Sequence, residues 1–300
     1  MESNHRHKDF QSFALPTELH HRFGVRKSRK KLKIPKFISL FRHLFLPSLS
    51  LCLTCTKLFL MYLTIDQGNS FCKIIVFHNN IAIHREVCKV LTARHLQSIY
   101  KKYNIDAALA CSVIGFNSIL KKAFKKMRID VLSATTKIPI KNLYTTPKTL
   151  GKDRLANVIA ATFLFPKQNV LIIDAGTCIK YDLIDHSKKY KGGNISPGLM
   201  MRFLALNKFT RKLPLAPLTN PRKLIGDSTV TALQTGVFNG IVAEMEGLAA
   251  RYAEKYSDLK VILTGGDSNR FVSQLNLSIF AASDLVNIGL NEIIKNNAEH

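Results

Sequence analysis

From Met61 onward, apolar residues fall in short blocks separated by polar turns. Tyr62-Leu63-Thr64-Ile65 is rich in β formers and predicts a strand, and Asp66-Gln67-Gly68-Asn69-Ser70 follows as a turn. Lys73-Ile74-Ile75-Val76-Phe77 predicts a second strand. Asn79-Asn80 is a hairpin signal, and Ile81-Ala82-Ile83 opens a third strand. Strand-like and helical segments then alternate as far as Lys148. Leu155, Val158, Ile159 and Phe163 follow a helical period that Pro166 closes.

The opening pattern then returns. Asn169-Val170-Leu171-Ile172-Ile173 predicts a strand, Asp174-Ala175-Gly176-Thr177-Cys178 a turn, and Ile179 to Ile184 a second strand. Asp185-His186-Ser187-Lys188 is the next turn, and Tyr190-Lys191-Gly192-Gly193-Asn194 opens a third element. Asp66 and Asp174 head the two copies, 108 residues apart. A repeat of this length predicts two similar α/β halves facing one another. Thr229 to Tyr256 reads as a long amphipathic helix with Val230, Leu233, Val237, Ile241, Met245 and Leu248 as its core face.

Each turn has chemistry to offer. An Asp at the end of a buried strand can hold a cation beside a phosphate. The Gly lets the backbone turn tightly and approach an anion. Asn69, Ser70 and Thr177 can add hydrogen bonds to phosphoryl oxygens. Either copy alone is compatible with a plain hairpin; two in equivalent positions point to a nucleotide triphosphate held between two walls. Val261-Ile262-Leu263-Thr264-Gly265-Gly266-Asp267 runs a strand into a Gly pair, which suits close approach to a base or ribose and equally suits a simple strand-to-helix turn. Thr149-Leu150-Gly151-Lys152-Asp153-Arg154 precedes the helix beginning near Leu155. Free N–H groups at a helix start attract anions. Arg154 offers a fork for a carboxylate or phosphate, and Asp153 an acceptor for a hydroxyl proton; the plainer reading is a helix-start acid beside a solvated arginine.

Composition narrows the picture. The chain has 300 residues, 46% apolar and 21% charged, which is enough to bury a core and argues against wholesale disorder. Fifteen Gly and 10 Pro exclude a collagen-like chain. Cys52, Cys55, Cys72, Cys88, Cys111 and Cys178 have no regular spacing, which points to a reducing cytoplasm rather than a disulfide scaffold. The net charge of +24 favours anionic partners without choosing among them. Residues 1–60 hold 12 basic and three acidic side chains, including the run from Arg26 to Lys33, followed by an apolar stretch. That stretch runs uncharged only from Leu44 to Thr56, too short for a stable membrane span. Met61 stands where a domain's own start would fall. Residues 1–60 are therefore expected to be a disordered or non-native leader, with an export or interfacial role and a nucleic-acid contact as alternatives. The lone Cys52–Cys55 pair lacks the partners of a zinc site.

Taken in order, five motifs resemble the type III pantothenate kinases of the actin and sugar-kinase superfamily. They are Asp66-Gln67-Gly68-Asn69-Ser70, Gly151-Lys152-Asp153-Arg154, Asp174-Ala175-Gly176-Thr177, Gly192-Gly193-Asn194-Ile195-Ser196-Pro197-Gly198 and Thr264-Gly265-Gly266. Gln67 stands where the family has an aliphatic residue. The resemblance implies a duplicated ribonuclease-H-like α/β fold, with lobes 61–166 and 167–300 around an ATP cleft. It implies ATP-dependent phosphorylation of pantothenate to 4′-phosphopantothenate, a step of coenzyme A synthesis, in a cytoplasmic homodimer.

The resemblance also implies roles for individual residues. Asp153 would be the general base. Tyr144, Gly151, Lys152, Asp153 and Arg154 would bind pantothenate, with Arg154 facing its carboxylate and Thr229 reaching it across a dimer interface. Asp66, Gln67, Gly68, Asn69, Ser70, Phe71, Cys72 and Lys73 would wrap the ATP phosphates. Thr177, Thr264, Gly265 and Gly266 would also touch ATP. Magnesium would accompany ATP, and Asp174 would hold a monovalent cation, potassium or ammonium. A catalytically silent nucleotide-binding regulator of the same fold is the alternative, against which the retained Asp153 argues. Nucleic acid is suggested by charge alone, with no recognition motif, and is not expected as a partner.

Overall fold

The structure is a computed structural model that describes residues 60–298 apart from 79 and 222. The basic run at 26–33 and the Cys52–Cys55 pair lie outside the described residues.

Two sheets carry the repeat. The first is ordered β3-β2-β1-β4-β5 and is built from β1 (Met61–Gln67), β2 (Cys72–His78), β3 (Ile81–Cys88), β4 (Ala107–Ser112) and β5 (Ile129–Val131). The second places β7 (Val170–Ala175), β8 (Cys178–Ile184), β9 (Lys189–Pro197), β10 (Lys260–Thr264) and β11 (Ile279–Ala281) in the corresponding order, with short β6 (Lys141–Asn142) added beside β9. In both sheets an antiparallel three-stranded meander is followed by two strands parallel to its first member. Even the irregularities correspond: the β2–β3 register slips after Val76 and the β8–β9 register after Leu183. The repeat's two similar α/β halves are present, in the duplicated ribonuclease-H-like architecture that the resemblance implies. β6 joins the second sheet although it precedes Pro166.

The faces of the sheets divide the core. Leu63, Ile65, Ile74 and Val76 pack outward under α1 (Ala93–Tyr103) and α2 (Ser118–Met127). The outer face of the second sheet, with Leu171, Ile173 and Tyr181, is covered by α4 (Leu199–Phe209) and α5 (Thr229–Lys255). On α5 the buried residues include Leu233, Val237, Ile241 and Met245, as the helical period requires. Val230, expected in that core, is 37% exposed because it lies in the first turn, ahead of the contact with the sheet, and Leu248 is only partly buried.

The two inner faces share one core, filled by α3 (Lys152–Leu164) and α7 (Leu285–Ala298). These helices approach closely because Gly289 has no side chain; a Cβ there would lie 1.9 Å from the Ala156 carbonyl oxygen. α7 follows the second sheet in sequence yet packs on the first. Asn287 Nδ2 donates to Thr64 Oγ1 of β1 at 3.0 Å. A short helix, α6 (Ser268–Phe271), follows β10.

Candidate active site

Three carboxylates meet where the two sheets and α3 converge. Asp66 lies near the end of β1, opposite Lys73 on β2 and beside Cys111 on β4. The Gly68 N–H donates to the Phe71 carbonyl at 3.0 Å and closes the corner. Asn69, Ser70 and Phe71 are exposed at its tip. The Cys111 thiol donates to Asp66 Oδ1 at 3.5 Å. Burial, together with the charges of Asp153 and Asp174, pushes the Asp66 carboxyl up to about 6, against the Cys111 hydrogen bond and the nearby Lys73 charge.

The second corner repeats the first. Asp174 lies near the end of β7, opposite Lys180 on β8. The Gly176 N–H donates to the Cys178 carbonyl at 3.1 Å, and Thr177 is exposed. The turn after β10 packs onto this corner. Gly265, at φ +97°, permits that contact, because a Cβ would lie 2.3 Å from the Ala175 carbonyl oxygen and 2.6 Å from Asp174 Oδ1. The Asp267 N–H donates to the same Ala175 oxygen at 2.9 Å. Thr264 and Gly265 thus reach the second corner.

The start of α3 supplies the third carboxylate. Gly151 precedes the helix and no side chain caps it. Asp153 Oδ1 accepts the Arg154 N–H at 2.9 Å. A side chain at residue 151 would strike Asp153 Oδ1, 2.6 Å from a Cβ. Lys180 Nζ lies 2.6 Å from Asp153 Oδ2 and 2.8 Å from Asp174 Oδ2, joining the two acids. Burial opposes its charge, but the Asp174 and Asp153 carboxylates hold the ammonium above the ordinary lysine range. Asn157 Nδ2 donates to Asp174 Oδ2 at 3.4 Å, and Asn157 Oδ1 is buried without a partner.

Other expected residues sit differently. Arg154 is not an open fork. It is 4% exposed, and its Nε and Nη2 donate to Asp182 at 2.6–3.1 Å. Tyr190 donates to Asp182 Oδ1 at 2.6 Å. Tyr144 stacks on Tyr190 and covers the Arg154 guanidinium, 5.4 Å from its ring centre. Lys152 Nζ donates to the Leu150 carbonyl at 3.2 Å. Lys73 turns away from Asp66 to pair with Asp284 at 3.2 Å and to donate to the Ser283 carbonyl. Thr229, the first residue of α5, lines a separate depression of about 730 Å³ between α4 and α5 that includes Arg202, Leu206 and Leu233. Lys180, Asp182 and Asn157 are the site residues that motif reading overlooks. The hairpin register is the signal that finds Lys180, since each corner places a lysine opposite its aspartate.

Comparison with known proteins sets this arrangement in a family. A family model described as type III pantothenate kinase matches residues 62–251. A protein named type III pantothenate kinase from Christiangramia forsetii is 45% identical over 243 residues, covering 79% of this chain and 99% of that relative. One of the same name from Bacteroides fragilis is 40% identical over 239 residues, covering 79% of this chain and 98% of the relative. A crystal structure described as a conserved putative Baf family transcriptional activator from Campylobacter jejuni superimposes with a TM-score of 0.53 at 21% identity. It covers 79% of this chain and 100% of that one, and shares the fold.

Proposed function

The chain belongs to the type III pantothenate kinase family, and from that premise we propose how its residues carry out the reaction. The reaction is ATP-dependent phosphorylation of pantothenate to 4′-phosphopantothenate, a step of coenzyme A biosynthesis. The observation that carries the residue assignment is the convergence of Asp66, Asp153 and Asp174 from two repeated corners and the intervening helix.

In this reading ATP lies between the corners. Backbone N–H groups and the exposed Asn69, Ser70 and Thr177 side chains bond its phosphates. Phe71, Cys72 and Lys73 complete the first wall, and Thr264, Gly265 and Gly266 meet the adenosine. The pantothenate hydroxyl lies at Asp153, whose rotamer is fixed by Lys180 and the Arg154 N–H. Phosphoryl transfer has a loose transition state, so alignment and charge neutralisation dominate, and Asp153 takes the hydroxyl proton late. Tyr144 and Gly151 line the acceptor pocket. Arg154 is committed to Asp182, so its part is to anchor the start of α3. The pantothenate carboxylate is assigned to Lys152 and the uncapped N–H groups beside it.

The family implies ATP with a divalent metal. The residues fit magnesium: Asp66 is a carboxylate whose charge is disfavoured by burial and by two neighbouring acids, the signature of a place short of positive charge. Asp66 would hold the ion together with the phosphates, and the ion would neutralise charge on the phosphoryl oxygens. A separate potassium or ammonium ion at Asp174 fits poorly. Its Oδ2 already receives Lys180 and Asn157, and the neighbouring orphaned acceptor is one neutral oxygen, Asn157 Oδ1.

We further assign the active form to a homodimer. Thr229 and the apolar lining between α4 and α5 support it, because a second copy on that face could carry Thr229 to its neighbour's pantothenate. The free thiols of Cys72, Cys88, Cys111 and Cys178 support a cytoplasmic setting. Among the described residues no helix is long and apolar enough to cross a membrane.

The test is turnover of the full chain with pantothenate and ATP. Asp153→Asn is expected to lower kcat by at least about a hundredfold while ATP still binds. Near-native turnover in that variant ends the assignment of Asp153.

A further inference from the structure

We propose that Lys180 is a built-in monovalent cation: its ammonium supplies the positive charge between Asp153 and Asp174, so phosphoryl transfer by this chain needs no free potassium or ammonium ion. The inference rests on the reading of Asp153 and Asp174 as the transfer site.

The geometry is that of a bound cation. Lys180 Nζ touches a carboxylate oxygen of each acid, at 2.6 Å and 2.8 Å. A lysine ammonium is a compact, strongly hydrated point charge with three N–H donors. Potassium and ammonium ions are of similar size, so the lysine head group fills the volume that either would take. Two of its donors serve Asp153 and Asp174, which leaves the third for a phosphoryl oxygen. A free cation placed here as well would meet a like charge and an acid whose Oδ2 is already used.

The tether makes the charge permanent. Lys180 is in the middle of β8, and its neighbours Ile179 and Tyr181 are buried in the outer core at 1% and 0% exposure. The strand therefore fixes the base of the side chain, and the charge arrives already positioned, without the loss of freedom that capturing an ion from solution entails. The position is particular to the second corner. The corresponding Lys73 of the first corner is drawn to Asp284 instead.

The experiment compares the full-length wild type with Lys180→Met in choline chloride and in potassium chloride at matched ionic strength. Wild-type turnover is expected to change by less than about twofold when potassium replaces choline. Lys180→Met is expected to lose about a hundredfold in choline, as when a preorganised charge is removed, and to recover in potassium or ammonium. Its melting temperature should rise specifically with potassium, and that of the wild type should not. Strong potassium activation of the wild type overturns the inference while leaving the kinase assignment intact. Failure of the wild type to phosphorylate pantothenate in any salt overturns both. A folded Lys180→Met that potassium neither reactivates nor stabilises also overturns it. Should Lys180→Met fail to fold, Lys180→Gln takes its place, and the wild-type salt comparison decides by itself.

Discussion

The two corners share a backbone and differ in what their lysines do. Asp66 faces Lys73 and Asp174 faces Lys180 in the same antiparallel register. In the first corner the lysine reaches over to Asp284, just before α7, and Asp66 is left with a thiol for a partner. In the second corner the lysine stays and joins two acids. The difference continues two residues along each hairpin. β2 has Ile75 where β8 has Asp182, and the partner strands carry Thr64 and Ile172. The helix that lands on each inner face matches the pattern, Asn287 of α7 on Thr64 and Arg154 of α3 on Asp182. Duplication thus supplied one scaffold twice, and the covering helix set its electrostatics.

Three changes would break or sharpen this contrast. The largest effect is expected on the charged side of the second hairpin. Asp182→Ala leaves Arg154 buried without its partner and should cost about 3–5 kcal/mol in urea unfolding, whereas replacing Arg154 and Asp182 together with apolar residues should recover much of the loss. If the single change costs no more than an exposed pair would, the second corner is not held by that ion pair.

Asp66 gives an intermediate and pH-dependent effect. Its carboxyl titrates near 6 in the folded chain against 3.8 as the ordinary value. The folded state therefore binds more protons between those values, and stability falls as pH rises through that window. Asp66→Asn should leave the melting temperature unchanged below the window and raise it above, by an amount equivalent to at most about 3 kcal/mol. In the wild type the KM for magnesium-ATP should rise as pH falls through about 6, and in the variant that pH dependence should vanish. A wild-type KM that stays flat across this range would remove Asp66 from metal binding.

The smallest effect belongs to the clamp that draws Lys73 away. Lys73 and Asp284 are 27% and 20% exposed, and Arg85 pairs with the same acid at 2.9 Å. Asp284→Asn should cost about 1 kcal/mol or less, shrinking with added salt. It should also lower the titration point of Asp66, because the freed lysine can turn back toward it. NMR titration of the Asp66 carboxyl reads this directly, and an unchanged midpoint would mean that Asp284 does not govern the first corner.

Much of this was legible in the residues. The repeated Asp-x-Gly turns marked both corners because a strand end, a glycine and small polar residues leave a local signature. The helix bearing Asp153 showed in its period. Lys180 and Asp182 left no such mark, since β8 reads as an ordinary strand and only pairing with β7 places them against α3. Arg154 reads as a solvent-facing fork until its buried partner on another element is known. Val230 fits the helical stripe by spacing, but spacing does not say where along a helix the sheet begins to cover it. β6 and α7 were beyond local pattern altogether, because each joins a sheet on the strength of distant residues.

The position of α7 also dictates an order of events during synthesis. Asn287 meets Thr64 across 223 residues of sequence. When the strands of the first sheet leave the ribosome, their inner face has only α3 to cover it before β7 begins, and the place of α7 stays empty while β7 to β11 are translated. The first-made half of the protein is in this sense the last to be finished.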